Sequence, residues 1–183
     1  MADGVGGDLR VCTTDELYEV ERGELRRLLD GAFGSFDDQD WDHALGGTHA
    51  IVSEAVTGAM VAHAAVVPRI MTVGDRELAV GYVEAVACAK DARHRGYATC
   101  AMRAIDGVIA EQYELGALST GVWDFYLRLG WERWQGPTYV ATPAGRVRTA
   151  DDDDGVMVLR TARTTDLDLT SAITCKWRAG DVW

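Results

Sequence analysis

The chain has 183 residues, 48% of them hydrophobic and 26% charged, with 29 acidic against 18 basic side chains for a formal net charge of −11. At roughly 150 residues per domain this length supports one domain with a sizeable core. Nucleic acid is disfavoured as a partner, because phosphate contacts come from Lys and Arg, whereas an acidic surface draws polycations inward.

Cys12, Cys88, Cys100 and Cys175 form no C-x-x-C pair, so neither a zinc ribbon nor a disulfide framework follows and free thiols are expected. His43, His49, His63 and His94 have no metal-ligand spacing; no metal is expected, and His63 reads as a core or sheet histidine. The first residues have no basic or apolar leader character and no apolar run approaches ~18 residues. The expectation is a cytoplasmic protein with no membrane partner.

In chain order, residues 1–7 read as a flexible Gly-rich leader and residues 8–183 as one domain. Leu9 to Cys12 is a short strand, and Thr14-Asp15-Glu16 starts a helix with acids in its first turn. Leu17, Val20, Leu25, Leu28 and Leu29 form its apolar face, ending near Gly31. Asp37, Asp38, Asp40 and Asp42 crowd the next segment around Trp41. His49 to Val52, then Ala59 to Val67 with Ile70 to Val73, are strands, with a bend or bulge at Pro68. Glu77 to Ala89 is a long Val-rich strand, and Ala98 to Gln112 is a helix with Cys100, Met102, Ile105, Val108 and Ile109 on its apolar face. Leu115 to Leu118 is a buried strand and Val122 to Leu129 a short helix stopped by Gly130. Trp131 to Trp134, Thr138 to Ala141 and Val156 to Leu159 are late strands. An early antiparallel run followed by strands interleaved with helices predicts an α/β domain with a mixed sheet.

The segment Arg93-His94-Arg95-Gly96-Tyr97-Ala98 stands between the Val-rich strand and the following helix. A Gly-bearing turn opening a helix offers backbone N–H groups and the positive end of the helix dipole, a site for an anion such as a pyrophosphate. A surface turn with two solvated arginines is the plain alternative. Glu84 lies in a strongly apolar strand, where a carboxylate must line a cleft or find a partner.

The pattern R-x-x-G-x-A in this position resembles the acetyl-CoA loop of the Gcn5-related N-acetyltransferase (GNAT) superfamily. The short strand and helix carrying Tyr126 and ending in Leu129-Gly130-Trp131 are similar to its last shared region. Asp40-Trp41, Leu45-Gly46-Gly47, Gly81-Tyr82-Val83-Glu84, Leu115-Gly116-Ala117-Leu118-Ser119 and Trp177-Arg178-Ala179-Gly180-Asp181-Val182-Trp183 together resemble the aminoglycoside 2'-N-acetyltransferases. The resemblance implies a GNAT fold, with a mixed central sheet flanked by helices, and acetyl transfer from acetyl-CoA to the 2'-amine of a 2-deoxystreptamine aminoglycoside.

It further implies that acetyl-CoA lies along Val86, Cys88, Arg93, His94, Arg95, Gly96, Tyr97 and Ala98, with a backbone N–H near Val86 serving the carbonyl oxygen. Glu84 is then the base for the ammonium proton and Tyr126 the acid for the leaving thiolate. Asp37, Asp40, Glu84, Ser119, Asp152, Asp153, Asp181 and Trp183 are the expected substrate contacts, the acids each meeting one ammonium group. For Glu84 a paired structural carboxylate, for Tyr126 a core tyrosine and for Asp151 to Asp154 a solvated loop are the alternatives. Another amine, such as a polyamine or a cell-envelope amino sugar, would suit the same acids. A non-catalytic acyl-CoA sensor would lack Glu84 or Tyr126, and both are present. A homodimer is expected from the resemblance alone.

Overall fold

The structure, a computed structural model, describes residues 7–34 and 36–183. The expected leader thus lies outside the described residues except for Gly7, which already opens the first strand. The chain divides into two compact units, Met1–Val67 with Val83–Gly107, and Pro68–Tyr82 with Val108–Trp183. No helix among the described residues is long and apolar enough to cross a membrane.

The first unit contains β1 (Gly7–Thr13), α1 (Glu19–Phe33), α2 (Asp38–Ala44) and β2 (Thr48–Glu54). It also holds the beginning of β3 (Met60–Val73), the end of β4 (Arg76–Cys88) and the first turns of α3 (Tyr97–Gln112). β1 runs antiparallel to β2 from Gly7↔Glu54 to Thr13↔Thr48, and β2 antiparallel to β3 from Thr48↔Val66 to Ser53↔Met60. Leu25, Leu28 and Leu29 of α1 fall three and four residues apart, on one face. They close over a cluster containing Cys12, Leu17, Phe36, Ile51 and Ala87. Each buried leucine stabilises the unit by about 1.5–3 kcal/mol. Gly47 is required at the start of this sheet, since a Cβ there would stand 2.0 Å from the Val66 carbonyl oxygen.

The helix expected to begin at Thr14 begins at Glu19 instead. Glu16 accepts the Thr13 amide at 2.7 Å, which closes a single turn of 3-10 helix over Thr14–Glu16. Glu21 then accepts the Tyr18 amide at 2.9 Å and starts the true helix. Glu16, expected in the first turn of one helix, and Glu21, five residues later, serve two separate caps. α1 also passes through Gly31 and ends at Phe33, where Gly34 takes φ +83° and returns its N–H to Asp30.

The second unit contains the end of β3, the start of β4, β5 (Leu115–Ser119), α4 (Trp123–Leu127), β6 (Glu132–Arg133), β7 (Thr138–Thr142), β8 (Gly145–Arg148), β9 (Val156–Arg160) and β10 (Ile173–Lys176). Their order is β6-β9-β5-β4-β3-β10-β7-β8. β5 is parallel to β4 and β10 parallel to β7, while β9 is antiparallel to β5 and β10 to β3. The mixed sheet predicted from the sequence is therefore present. Pro68 does not interrupt β3: it falls between the last β2 pair, at Val66, and the first β10 pair, at Met71. Neither of those ladders needs its missing donor.

Candidate active site

β4 carries the first feature of the site. Along a strand, side chains alternate between faces, yet Glu84, Ala85 and Val86 are three half-buried residues in succession. Within this run Ala85 has a φ of +52°, a non-glycine residue in the left-handed region, at a cost of about 1–2 kcal/mol. The chain kinks there. The ladder between β4 and β5 has ended two residues earlier than Glu84, at Tyr82↔Ala117. The backbone of Ala85 and Val86 thus lies past the paired stretch. Glu84 has its Oε1 shielded from solvent.

Beneath the kink, the Ala85 carbonyl oxygen lies 2.8 Å from Nδ1 of His63, and Nε2 of His63 lies 3.0 Å from Nδ1 of His49. Nε2 of His49 is 2.8 Å from the Thr14 hydroxyl. Both rings are fully buried. Burial pushes His63 down to about 3, helped by His49, and pushes His49 down to about 4, helped by Arg22. Both are neutral near pH 7. Sequence reading foresaw His63 as a sheet histidine and found no signal for the pair, because the partners come from different strands.

These values set a pH dependence of stability. Both folded pKa values lie below the ordinary 6.5, so their contribution is intact above pH 6.5 and is lost as pH falls toward 4. Between pH 6.5 and 5 the unfolded chain takes up protons at both rings and the folded chain does not. Urea unfolding should show stability falling by up to about 1.4 kcal/mol per pH unit for each ring. Unchanged stability across that window would contradict the buried neutral pair.

After Cys88 the chain makes a 3-10 turn over Lys90–Ala92 and presents Arg93, His94 and Arg95 to solvent. His94 at φ +63° and Gly96 at φ +85° turn the backbone sharply before α3 begins at Tyr97. The first amides of a helix lack intrahelical acceptors and carry the positive end of the dipole. Among the described residues Arg95 makes an exposed pair with Glu54 at 3.3 Å, a weak contact that releases readily. Burial raises the Cys88 thiol, which also meets the backbone of Ala98. The residues foreseen for the cofactor from Arg93 to Ala98 run from this turn into the first residues of α3, so exposed cations precede amides that lack intrahelical acceptors.

In the second unit, α4 buries Tyr126, with Phe125 and Trp131 edge-on to its ring at 5.0 and 6.2 Å. Burial pushes its phenol up to about 12, so it stays a donor throughout the working pH range. Ser119 is exposed at the end of β5, opposite Val156.

The acidic residues divide by task. Asp153 is occupied: it pairs through both carboxylate oxygens with Arg148 and accepts from the amide and hydroxyl of Thr138 at 2.9 and 2.8 Å. Arg148, foremost, pulls it down to about 2. Asp152 is raised instead, by burial first and then by the negative charge of Asp181. Trp183 is buried and docked: its Nε1 donates to the Thr149 hydroxyl at 3.0 Å, and its amide faces Asp181 at 3.4 Å. Arg69 secures the same segment by donating to the Val182 carbonyl at 2.9 Å. Asp152, Asp181 and Trp183 therefore belong to one cluster. In the first unit, Asp37 caps α2 by accepting the Asp40 amide at 2.8 Å, Asp38 pairs with Arg26 at 3.1 Å, and Asp40 is half-buried.

Residues 14–134 match the model of the acetyltransferase (GNAT) domain family. An aminoglycoside 2'-N-acetyltransferase of Mycolicibacterium fortuitum is 46% identical over 185 residues, covering 98% of this chain and 94% of that protein. The GNAT family N-acetyltransferase YhbS of Escherichia coli, solved in complex with CoA, has a TM-score of 0.66 at 16% identity, over 96% of this chain and 92% of its own. A GCN5-related N-acetyltransferase of Kribbella flavida has a TM-score of 0.59 at 22% identity, over 74% of this chain, which spans only 36% of that longer chain. The chain belongs to the GNAT acetyltransferase family and, within it, to the aminoglycoside 2'-N-acetyltransferases.

Proposed function

We propose that this enzyme acetylates the 2'-amine of 2-deoxystreptamine aminoglycosides, with Glu84 as base and Tyr126 as donor to the departing sulfur. The observation that carries the reading is the kink at Ala85, past the end of the β4/β5 ladder and followed after Cys88 by the amide-rich turn from Arg93 to Ala98. Acetyl-CoA, bound with its pyrophosphate on that turn, supplies the thioester.

Glu84 takes the proton from the substrate ammonium and leaves a nucleophilic amine. The Val86 amide donates to the carbonyl oxygen as negative charge builds on it. The new bond joins the 2'-nitrogen to the acetyl carbon, the carbon–sulfur bond breaks, and the nitrogen's second proton leaves through solvent, from which Tyr126 is reprotonated. Tyr126, held near 12, stabilises the sulfur by hydrogen bonding; full transfer to a thiolate of pKa ~8.5 is uphill, so the proton is shared before it is given. Asp152 and Asp181 repel each other when both are charged, and an ammonium beside them relieves that repulsion. Asp40, Asp37 and Ser119 complete the substrate contacts in this reading, while Asp153 acts through Arg148 on the shape of its loop. Drug inactivation follows from the product, whose amide nitrogen no longer carries charge.

CoA release on mixing the protein with acetyl-CoA and an aminoglycoside tests the reaction. Glu84→Gln should lower turnover most below the pH optimum, where the amine still needs deprotonation, and Tyr126→Phe should lower it at every pH. Groups of this kind contribute about 10²–10⁴-fold. Wild-type rates in both folded variants would remove these assignments.

A further inference from the structure

The buried contacts beneath Ala85 have a definite direction. The Ala85 carbonyl only accepts, so Nδ1 of His63, 2.8 Å away, carries a hydrogen. A neutral imidazole has a single N–H, which leaves Nε2 of His63 as an acceptor. The hydrogen across the 3.0 Å contact then belongs to Nδ1 of His49. Nε2 of His49 is in turn an acceptor and takes the Thr14 hydroxyl proton at 2.8 Å. Thr14 Oγ1 receives the amides of Gly46 and Gly47 at 2.9 and 3.2 Å. The other use of that hydroxyl proton, toward the Gly47 carbonyl, is longer at 3.3 Å. Every group in the series is satisfied in this one arrangement, with both rings neutral and protonated on Nδ1.

We infer that His63 and His49 are positioning residues for acetyl transfer, forming a one-way strut from the Gly46-Gly47 turn through Thr14 to the Ala85 carbonyl that holds the kink orienting Glu84 and the Val86 amide. This rests on the proposed role of Glu84. Ala85 has an unfavourable φ, and nothing in its own side chain favours that conformation. A carbonyl gripped from below resists the rotation that would relax it. The two rings touch no reacting atom, and their effect passes entirely through the backbone at residue 85.

Two measurements on the enzyme test this. The first is the tautomeric state of the two rings from imidazole nitrogen NMR of the wild-type protein at neutral pH. Both are expected as the neutral Nδ1–H form, and an Nε2–H form of His63 would overturn the strut. The second compares His63→Leu with His63→Asn, whose Nδ2 stands where Nδ1 stood and still donates. For His63→Leu, kcat should fall about 10- to 100-fold with the aminoglycoside KM nearly unchanged, and His63→Asn should recover most of the loss. A packing role alone would leave Asn no better than Leu, and that result, or wild-type kcat in folded His63→Leu, overturns the proposal. If His63→Leu does not fold, Thr14→Val carries the same arm: a several-fold lower kcat at unchanged KM supports the strut and a wild-type kcat overturns it. Glu84→Gln measured alongside separates the two ideas, because full activity there removes the base while the tautomers and the Leu/Asn contrast still report on the strut.

Discussion

Kanamycin B should be acetylated, and kanamycin A should be bound but left unmodified. The two drugs differ at the 2' position, where kanamycin B has an amine and kanamycin A a hydroxyl. Glu84 has an ammonium proton to remove from the first and none from the second, and a hydroxyl is a far weaker nucleophile. Binding should survive the exchange, because in the proposed site the remaining ammonium groups still have acids such as Asp40, Asp152 and Asp181 to meet. A site built around a particular polar group discriminates against its absence by about 10³-fold or more in kcat/KM. Mass spectrometry of the two reactions and calorimetry of the two complexes give the comparison. Efficient acetylation of kanamycin A would sink the 2' assignment and favour transfer to another amine.

Gly96→Asp should abolish useful affinity for acetyl-CoA. Gly96 sits at φ +85°, immediately before the first residue of α3. The substitution puts a carboxylate against the pyrophosphate on the amides meant to receive it, and like charges set together cost several kcal/mol, equivalent to a loss of roughly 100-fold or more. Asparagine is the matching control. It has the same shape and tolerates positive φ comparably, so Gly96→Asn reports backbone strain and the difference from aspartate reports charge. Both variants should be checked for thermal stability before CoA titration. Unchanged affinity in folded Gly96→Asp would move the nucleotide elsewhere.

The parts of this protein that were readable in advance are those set within a few residues of one another. α3 repeats its apolar positions with the helical period, and Met102, Ile105 and Ile109 are indeed buried. β4 carries Val80, Val83 and Val86 in a largely apolar run, and the stretch from Arg93 to Ala98 is one contiguous segment. The shorter elements escaped. α2 has seven residues with Trp41 and Ala44 as its only hydrophobic ones, too short for a period to show. β8 reads Gly-Arg-Val-Arg, and β10 is four residues long; each is a strand because a neighbour supplies its hydrogen bonds.

By itself, then, the amino-acid sequence determined the acetyltransferase family, the mixed-sheet class, the glycine-bearing turn that opens α3 and the presence of an acid in an apolar strand with a tyrosine after it. All of these rest on local pattern or contiguous motif. Tertiary structure alone decided that Ala85 takes a positive φ and that His63, 22 residues away, reaches its carbonyl. It alone decided that Asp153 is spent on Arg148 while Asp152 faces the charge of Asp181, and that Trp183 docks on Thr149, 34 residues earlier. A carboxylate is the same in every aspartate of the run from Asp151 to Asp154. Which one pairs, which one is raised and which one meets solvent depends on what distant segments bring beside it, because burial and the charges nearby, not residue type, set the energy of an ionised group.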